Sequence, residues 1–197
     1  MRFECNRLVP LHYDSSWQRV ERSLGMDDIP DLHYDRSALF EDALNPETDT
    51  DADKLKKAPR KTFYERRMLL RTMKLHPEPF FRNDKVYEDV KDFLFERRYR
   101  AGDLVFEQGN PGYHFYIIDS GDFDVIKDGV AIYRYHNKGT FGSRSLYRRT
   151  ERVATIKAVT VGKLWELDCR SIRRYLARKS YLINTGELVE YKYCAVL

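Results

Sequence analysis

Seven glycines, Gly102, Gly109, Gly112, Gly121, Gly129, Gly139 and Gly142, cut the middle of this chain into pieces too short for helices. Between them lie "LVFE", "HFYIID", "FDVIK" and "VAIYRY", runs rich in β-branched and aromatic residues. Asp128-Gly129 separates two of these runs, and that dipeptide tolerates the left-handed backbone of a two-residue hairpin. Two further strand candidates, "VATIKAVT" and "KLWELD", flank a Val161-Gly162 turn. Many short strands punctuated this way close on each other as a β-roll or jelly roll.

The flanks follow a different period. In "TFYERRMLLRTMK", Phe63, Leu70 and Met73 recur at helical spacing, and Thr62 followed by Glu65 has the form of a capping box. "HPEPFF" ends that helix, and "DKVYEDVKDFLFERRY" predicts a second, apolar at Val86, Val90, Phe93 and Leu94. From Ser171 the chain is amphipathic again, until Asn184-Thr185-Gly186 interrupts it and predicts a joint between two helices. The expected class is therefore α+β: an eight-stranded β-roll with helices at its N- and C-terminal sides. Residues 45–53, "NPETDTDAD", are acidic, lack aliphatics and read as a linker. The expected division is an acidic, partly disordered arm over residues 1–61 and one domain over 62–197.

Charge is distributed along the same line. Residues 1–60 hold 9 Lys/Arg against 13 Asp/Glu, whereas 61–197 hold 26 against 18, so the body is a basic module suited to an anion. Cys5, Cys169 and Cys194 form no CxxC pair, and His12, His33, His76, His114 and His136 stand at no metal-ligand spacing, so no metal or other cofactor is expected. The odd, scattered cysteines fit a reducing, cytoplasmic setting. No apolar run approaches the ~18 residues of a membrane span. GxSxG, HExxH and the P-loop are all absent, and a non-enzyme is expected. "ERRYR" at 96–100 reads as a helix end leading into a strand rather than as a nucleic-acid strip, and no nucleic-acid partner is expected.

"GDLVFEQGNPGYHFYIIDSGDFDVI", then "NKGTFG", "RVAT" and "KLWELDCRSIRRYL" occur in one order. Together they resemble a cyclic-nucleotide-binding domain, most closely that of cAMP-dependent protein kinase regulatory subunits. Tyr135, Asn137, Gly139, Phe141 and Gly142 follow the type II form of the motif, and the resemblance runs from about Asn45 onward. It implies a cassette, "FGSRSLYRRTERVAT", that cradles a cyclic phosphate. Arg152 would be the phosphate ligand, Gly142 the turn, and Ser145 and Val153 backbone N–H donors. Ser143 stands where the family has a glutamate for the ribose 2′-hydroxyl, Arg144 where it usually has leucine, and Glu151 where proline is common. A neutral acceptor contributes about 1 kcal/mol against about 1.5–3 for a charged one, so the exchange weakens that contact roughly ten-fold.

The resemblance also implies a cAMP-binding regulatory module that inhibits a kinase catalytic subunit. With its partly degenerate cassette, the alternative is a ligand-independent scaffold. "DRSALF" carries a pseudosubstrate-like Arg36, Ala38 and Leu39, with Asp35 where the family has a second arginine. The ending "CAVL" has the form of a prenylation box at Cys194. Neither the family's N-terminal dimerisation helices nor its second nucleotide domain is found, which points to a monomer.

Overall fold

A computed structural model describes residues 55–76, 84–146 and 150–184. The pseudosubstrate-like Arg36, Ala38 and Leu39, the joint at Thr185-Gly186 and Cys194 lie outside the described residues.

Helix α1 spans Phe63–Leu75 and begins as the sequence predicts. Thr62 accepts a hydrogen bond from the Glu65 N–H, and Glu65 accepts one in return from the Thr62 N–H at 2.8 Å. Helix α2 covers only Asp84–Val90, followed by a 3-10 turn at Lys91–Phe93. The predicted continuation to Tyr99 does not form. Leu94–Tyr99 is instead strand β1, paired antiparallel with the later strand Gly162–Asp168, Leu94 opposite Leu167 and Tyr99 opposite Gly162. Glu and Arg favour helix locally, yet here their charges are matched within the sheet. Arg97 donates to Glu166 at 2.7 Å and Arg98 to Glu96 at 2.7 Å. Tertiary pairing overrides local propensity.

The remaining strands are β2 Leu104–Phe106, β3 Pro111–Gly112, β4 His114–Ser120, β5 Asp122–Lys127 and β6 Val130–His136. They continue with β7 Thr140–Phe141, β8 Thr150–Glu151, β9 Thr155–Ala158 and β10 Gly162–Asp168, before helix α3 at Cys169–Asn184. One sheet runs β1-β10-β4-β7 and the other β2-β9-β5-β6. The two sheets hold eight strands, the number expected, although β1 and β7 are not among the predicted runs; the two-residue pair β3–β8 adds a small clasp. Asp128 (φ 51°) and Gly129 (φ 81°) turn the β5–β6 hairpin in the left-handed region, as that dipeptide predicts.

The first sheet is covered on both faces, and the period-two alternation of strand side chains divides the core accordingly. Along β4, Phe115 and Ile117 pack with Leu69 and Met73 of α1 and Ile172 of α3. Tyr116 and Ile118 point the other way, into a core with Phe123, Val125, Tyr135, Phe141 and Ile156. The expected α+β β-roll with flanking helices is present.

One cation ties α1 to the roll. Lys163 Nζ on β10 lies 2.8 Å from Asp119, 3.3 Å from Glu65 and 3.5 Å from Glu96, and 5.1 Å above the Trp165 ring. Hydrogen bonds to the Thr62 backbone and side chain, with help from Lys163, hold Glu65 below its usual carboxylate range. Lys163→Met should therefore leave three carboxylates mutually repelling. In urea denaturation we expect a loss of roughly 2 kcal/mol, between the cost of breaking a surface pair and that of breaking a buried one. Arg134→Ala, which breaks only the exposed Arg134–Asp124 pair, should cost under about 1 kcal/mol. Equal losses would show that the Lys163 cluster is no stronger than a surface pair.

Candidate ligand-binding site

The chain between β7 and β8 builds the site. At Gly142 it turns with φ +81°, where a side chain is strained, and a Cβ there would lie 2.6 Å from the His114 carbonyl oxygen and 2.8 Å from Arg152 Nη1. Ser143–Leu146 then form a 3-10 turn, closed by the Ser145 N–H donating to the Gly142 carbonyl at 3.1 Å. Leu146, fully buried in the core beneath the helices, anchors this turn.

Arg152 follows β8 and is 8% exposed. Its guanidinium lies 4.1 Å from the centre of the Phe106 ring, donates from Nη2 to the His114 carbonyl at 2.8 Å and from Nη1 to the Ser145 hydroxyl at 3.1 Å. Both acceptors are neutral, and Nε has no hydrogen-bond partner. Burial pulls the guanidinium below its ordinary pKa, opposed chiefly by Tyr116. Its backbone is also pinned, with the Arg152 N–H donating to the Asn110 carbonyl and its own carbonyl accepting from the Gly109 N–H, each at 2.8 Å. A buried guanidinium with only neutral acceptors carries a desolvation cost of several kcal/mol, and an anion placed beside it offsets that cost.

Arg152 lines a recess of about 90 Å³. Phe106, Val125, Tyr135, Phe141, Val153, Ala154 and Ile156 give it apolar walls, and Ser143, Arg144 and Glu151 add polar side chains around it. Five of the six residues expected at the cassette line this one recess. The sixth, Ser145, is 1% exposed and backs the recess by accepting from Arg152. Apolar, ring-lined walls beside a guanidinium suit a flat ligand that carries a phosphate.

Three contributors were not legible in the sequence. Phe106 supplies the surface on which Arg152 stacks, and His114 contributes only a carbonyl, which no side-chain motif reveals. His76 lines the same recess from the end of α1, 7% exposed and edge-on to Phe115 at 5.5 Å between ring centres. Its only sequence signal is the His-Pro helix break. Arg173 of α3, 2% exposed, donates to the Ser145 carbonyl and so joins that helix to the 3-10 turn.

A β-roll whose cassette presents an arginine beside a glycine turn defines the cyclic nucleotide-binding class, and residues 96–179 match the family model described as "Cyclic nucleotide-binding domain". Those residues have the cyclic nucleotide-binding fold. The chain is 33% identical, over 148 residues, to the cAMP-dependent protein kinase type II regulatory subunit of Drosophila melanogaster. That match takes in 74% of this chain but only 39% of the relative's length. Among solved structures, the regulatory domain of Toxoplasma gondii PKA, crystallised with cAMP, aligns with a TM-score of 0.52 at 21% identity, over 64% of this chain and 50% of that one. A cyclic nucleotide-binding-like protein from Brucella abortus aligns at 0.50 with 19% identity, over 55% of this chain and 97% of that one. At such identities the structures establish the shared fold.

Two outcomes test this geometry. Gly142→Ala forces a Cβ against the His114 carbonyl at positive φ, and should cost roughly 1–3 kcal/mol in thermal or chemical denaturation; a neutral change would show that the turn relaxes freely. His76 tests the recess through pH. Burial lowers its pKa from 6.5 to about 4, so the unfolded chain takes up the proton first. Its contribution is whole above the unfolded pKa and declines as pH falls from 6.5 toward about 4, by at most about 3 kcal/mol. His76→Phe should flatten the dependence of the urea midpoint on pH in that window, and an unchanged slope would place the titration elsewhere.

Proposed function

We propose that this protein is a ligand-responsive regulatory module that binds a cyclic nucleotide, cAMP in the first instance, at Arg152. The observation that carries this reading is the Arg152 guanidinium itself, buried in an aromatic-walled recess with only neutral acceptors. Arg152 holds the phosphate, Gly142 lets the backbone approach it, and the apolar walls receive the base. Ser143 offers the ribose a neutral partner, which makes the affinity modest. The kinase regulatory subunit among its relatives supports a further step, in which the N-terminal arm enters a kinase catalytic subunit through Arg36, Ala38 and Leu39. Occupancy then reaches α3 through the 3-10 turn, whose Ser145 carbonyl accepts from Arg173.

Calorimetric titration tests the pocket. Wild-type protein should bind cAMP, Arg152→Ala should lose binding by at least a hundred-fold, and Ser143→Glu should tighten it by roughly ten-fold through a charged acceptor. No heat and no thermal shift at millimolar cAMP would leave the β-roll as a scaffold without a cyclic-nucleotide ligand. For the arm, Asp35→Arg should strengthen, and Arg36→Ala weaken, inhibition of a cAMP-dependent kinase catalytic subunit; equal potency would remove the inhibitory role.

A further inference from the structure

A second recess, of about 380 Å³, opens where α1 begins, and no residue that lines it lines the Arg152 recess. Its walls include Arg60, Lys61, Glu65, Phe95, Glu96 and Trp165. Lys61 is 8% exposed, and its Nζ lies 5.2 Å from the centre of the Trp165 ring. Among the described residues it has no hydrogen-bond acceptor and no ion-pair partner. The two carboxylates of the recess are engaged by other groups. Glu65 accepts from the Thr62 N–H at 2.8 Å and lies 3.3 Å from Lys163, while Glu96 accepts from Arg98 at 2.7 Å and lies 3.5 Å from Lys163. Burial holds the Lys61 ammonium below its ordinary pKa, opposed by Asp92 and Glu65. Its nitrogen is nevertheless not sealed from solvent.

A lysine nitrogen that is desolvated, unpaired and open to a cavity is placed as a nucleophile rather than as half of a salt bridge. We infer that Lys61 is a covalent modification site, acylated by a small acyl phosphate that enters this recess. The uncharged amine attacks the carbonyl carbon, and a C–N bond forms as the C–O bond to phosphate breaks. The phosphate leaves with the electron pair and takes the proton shed by nitrogen, so nothing is oxidised or reduced. Arg60, exposed in the lining, supplies the cation that draws the phosphate, and Phe95 and Trp165 receive the acyl group. The volume lies within the ~300–1,000 Å³ of small-molecule sites. The product is a neutral amide, which removes the cost of a buried charge that has no acceptor. Acylation of Lys163 would have the opposite effect, because its ammonium holds Glu65, Glu96 and Asp119 together.

Incubation of the full chain with acetyl phosphate, followed by peptide mass spectrometry, provides the test, with the exposed Lys138 and Lys157 as internal references. Lys61 should be acylated about five-fold faster than either, and concentrated urea should bring the ratio down to about one. Arg60→Ala should slow the reaction of Lys61 with acetyl phosphate about three-fold, and leave its reaction with an uncharged acetyl ester within about two-fold. Lys61→Gln, an uncharged stand-in for the amide, should keep the wild-type urea midpoint or raise it. Acylation of Lys61 no faster than that of Lys138 and Lys157, or an advantage that survives in urea, would overturn the inference. An Arg60→Ala chain slowed equally toward both donors would overturn the assignment of an acyl phosphate. A lowered midpoint for Lys61→Gln would show that the ammonium is needed on the Trp165 ring, and would likewise overturn the site.

Discussion

The stacking of the Arg152 guanidinium on Phe106, 4.1 Å from the ring centre, draws together four separate parts of the chain. Strand β2 provides the ring, β4 the His114 carbonyl, the 3-10 turn the Ser145 hydroxyl, and β8 delivers the arginine. Gly142 is required because any larger residue would meet both the His114 carbonyl and the guanidinium. Arginine suits this place better than lysine would, since a planar cation can lie on a ring while donating in two directions. An exposed pair contributes little because water competes for each partner. Here the contacts are dry, so a phosphate would find a cation that water has already left.

The same physics sets the relation between recess and helices. Strand β4 presents Phe115 and Ile117 to α1 and α3 while turning Tyr116 toward the rings of the other core. Tyr116 and Phe141 lie 5.1 Å apart, with Phe106 5.7 Å from Phe141, so the recess wall is a continuous aromatic layer. Strand β4 thus joins that layer to the helix side. The connection is reinforced from α3 by Arg173, and α3 is held to α2 by Lys179 on Asp89 at 2.6 Å and to the 3-10 turn after it by Tyr175 against Phe93. Interiors packed in this way respond by shifting between discrete arrangements rather than by bending.

Local chemistry was legible because it acts over a few residues. The capping box at Thr62 and Glu65, the Asp128-Gly129 hairpin and the β-branched and aromatic runs of β4 and β5 all read directly from neighbours in the chain. Strand β1 was not legible, because Glu96, Arg97 and Arg98 have helical preferences that only the facing β10 overrules. At the site, Gly142, Ser143, Arg144, Arg152 and Val153 were found through a contiguous cassette. Phe106, His76 and the His114 carbonyl belong to no such run.

The sequence by itself determined the strand-turn rhythm, the helix starts and the identity of the cation, since backbone conformation and charge are properties of short segments. Only the tertiary structure decided that this cation would be buried and stacked on Phe106. Desolvation and stacking depend on which distant residues close around a group, and β2, β4, α1 and α3 reach Arg152 only after the two sheets have packed.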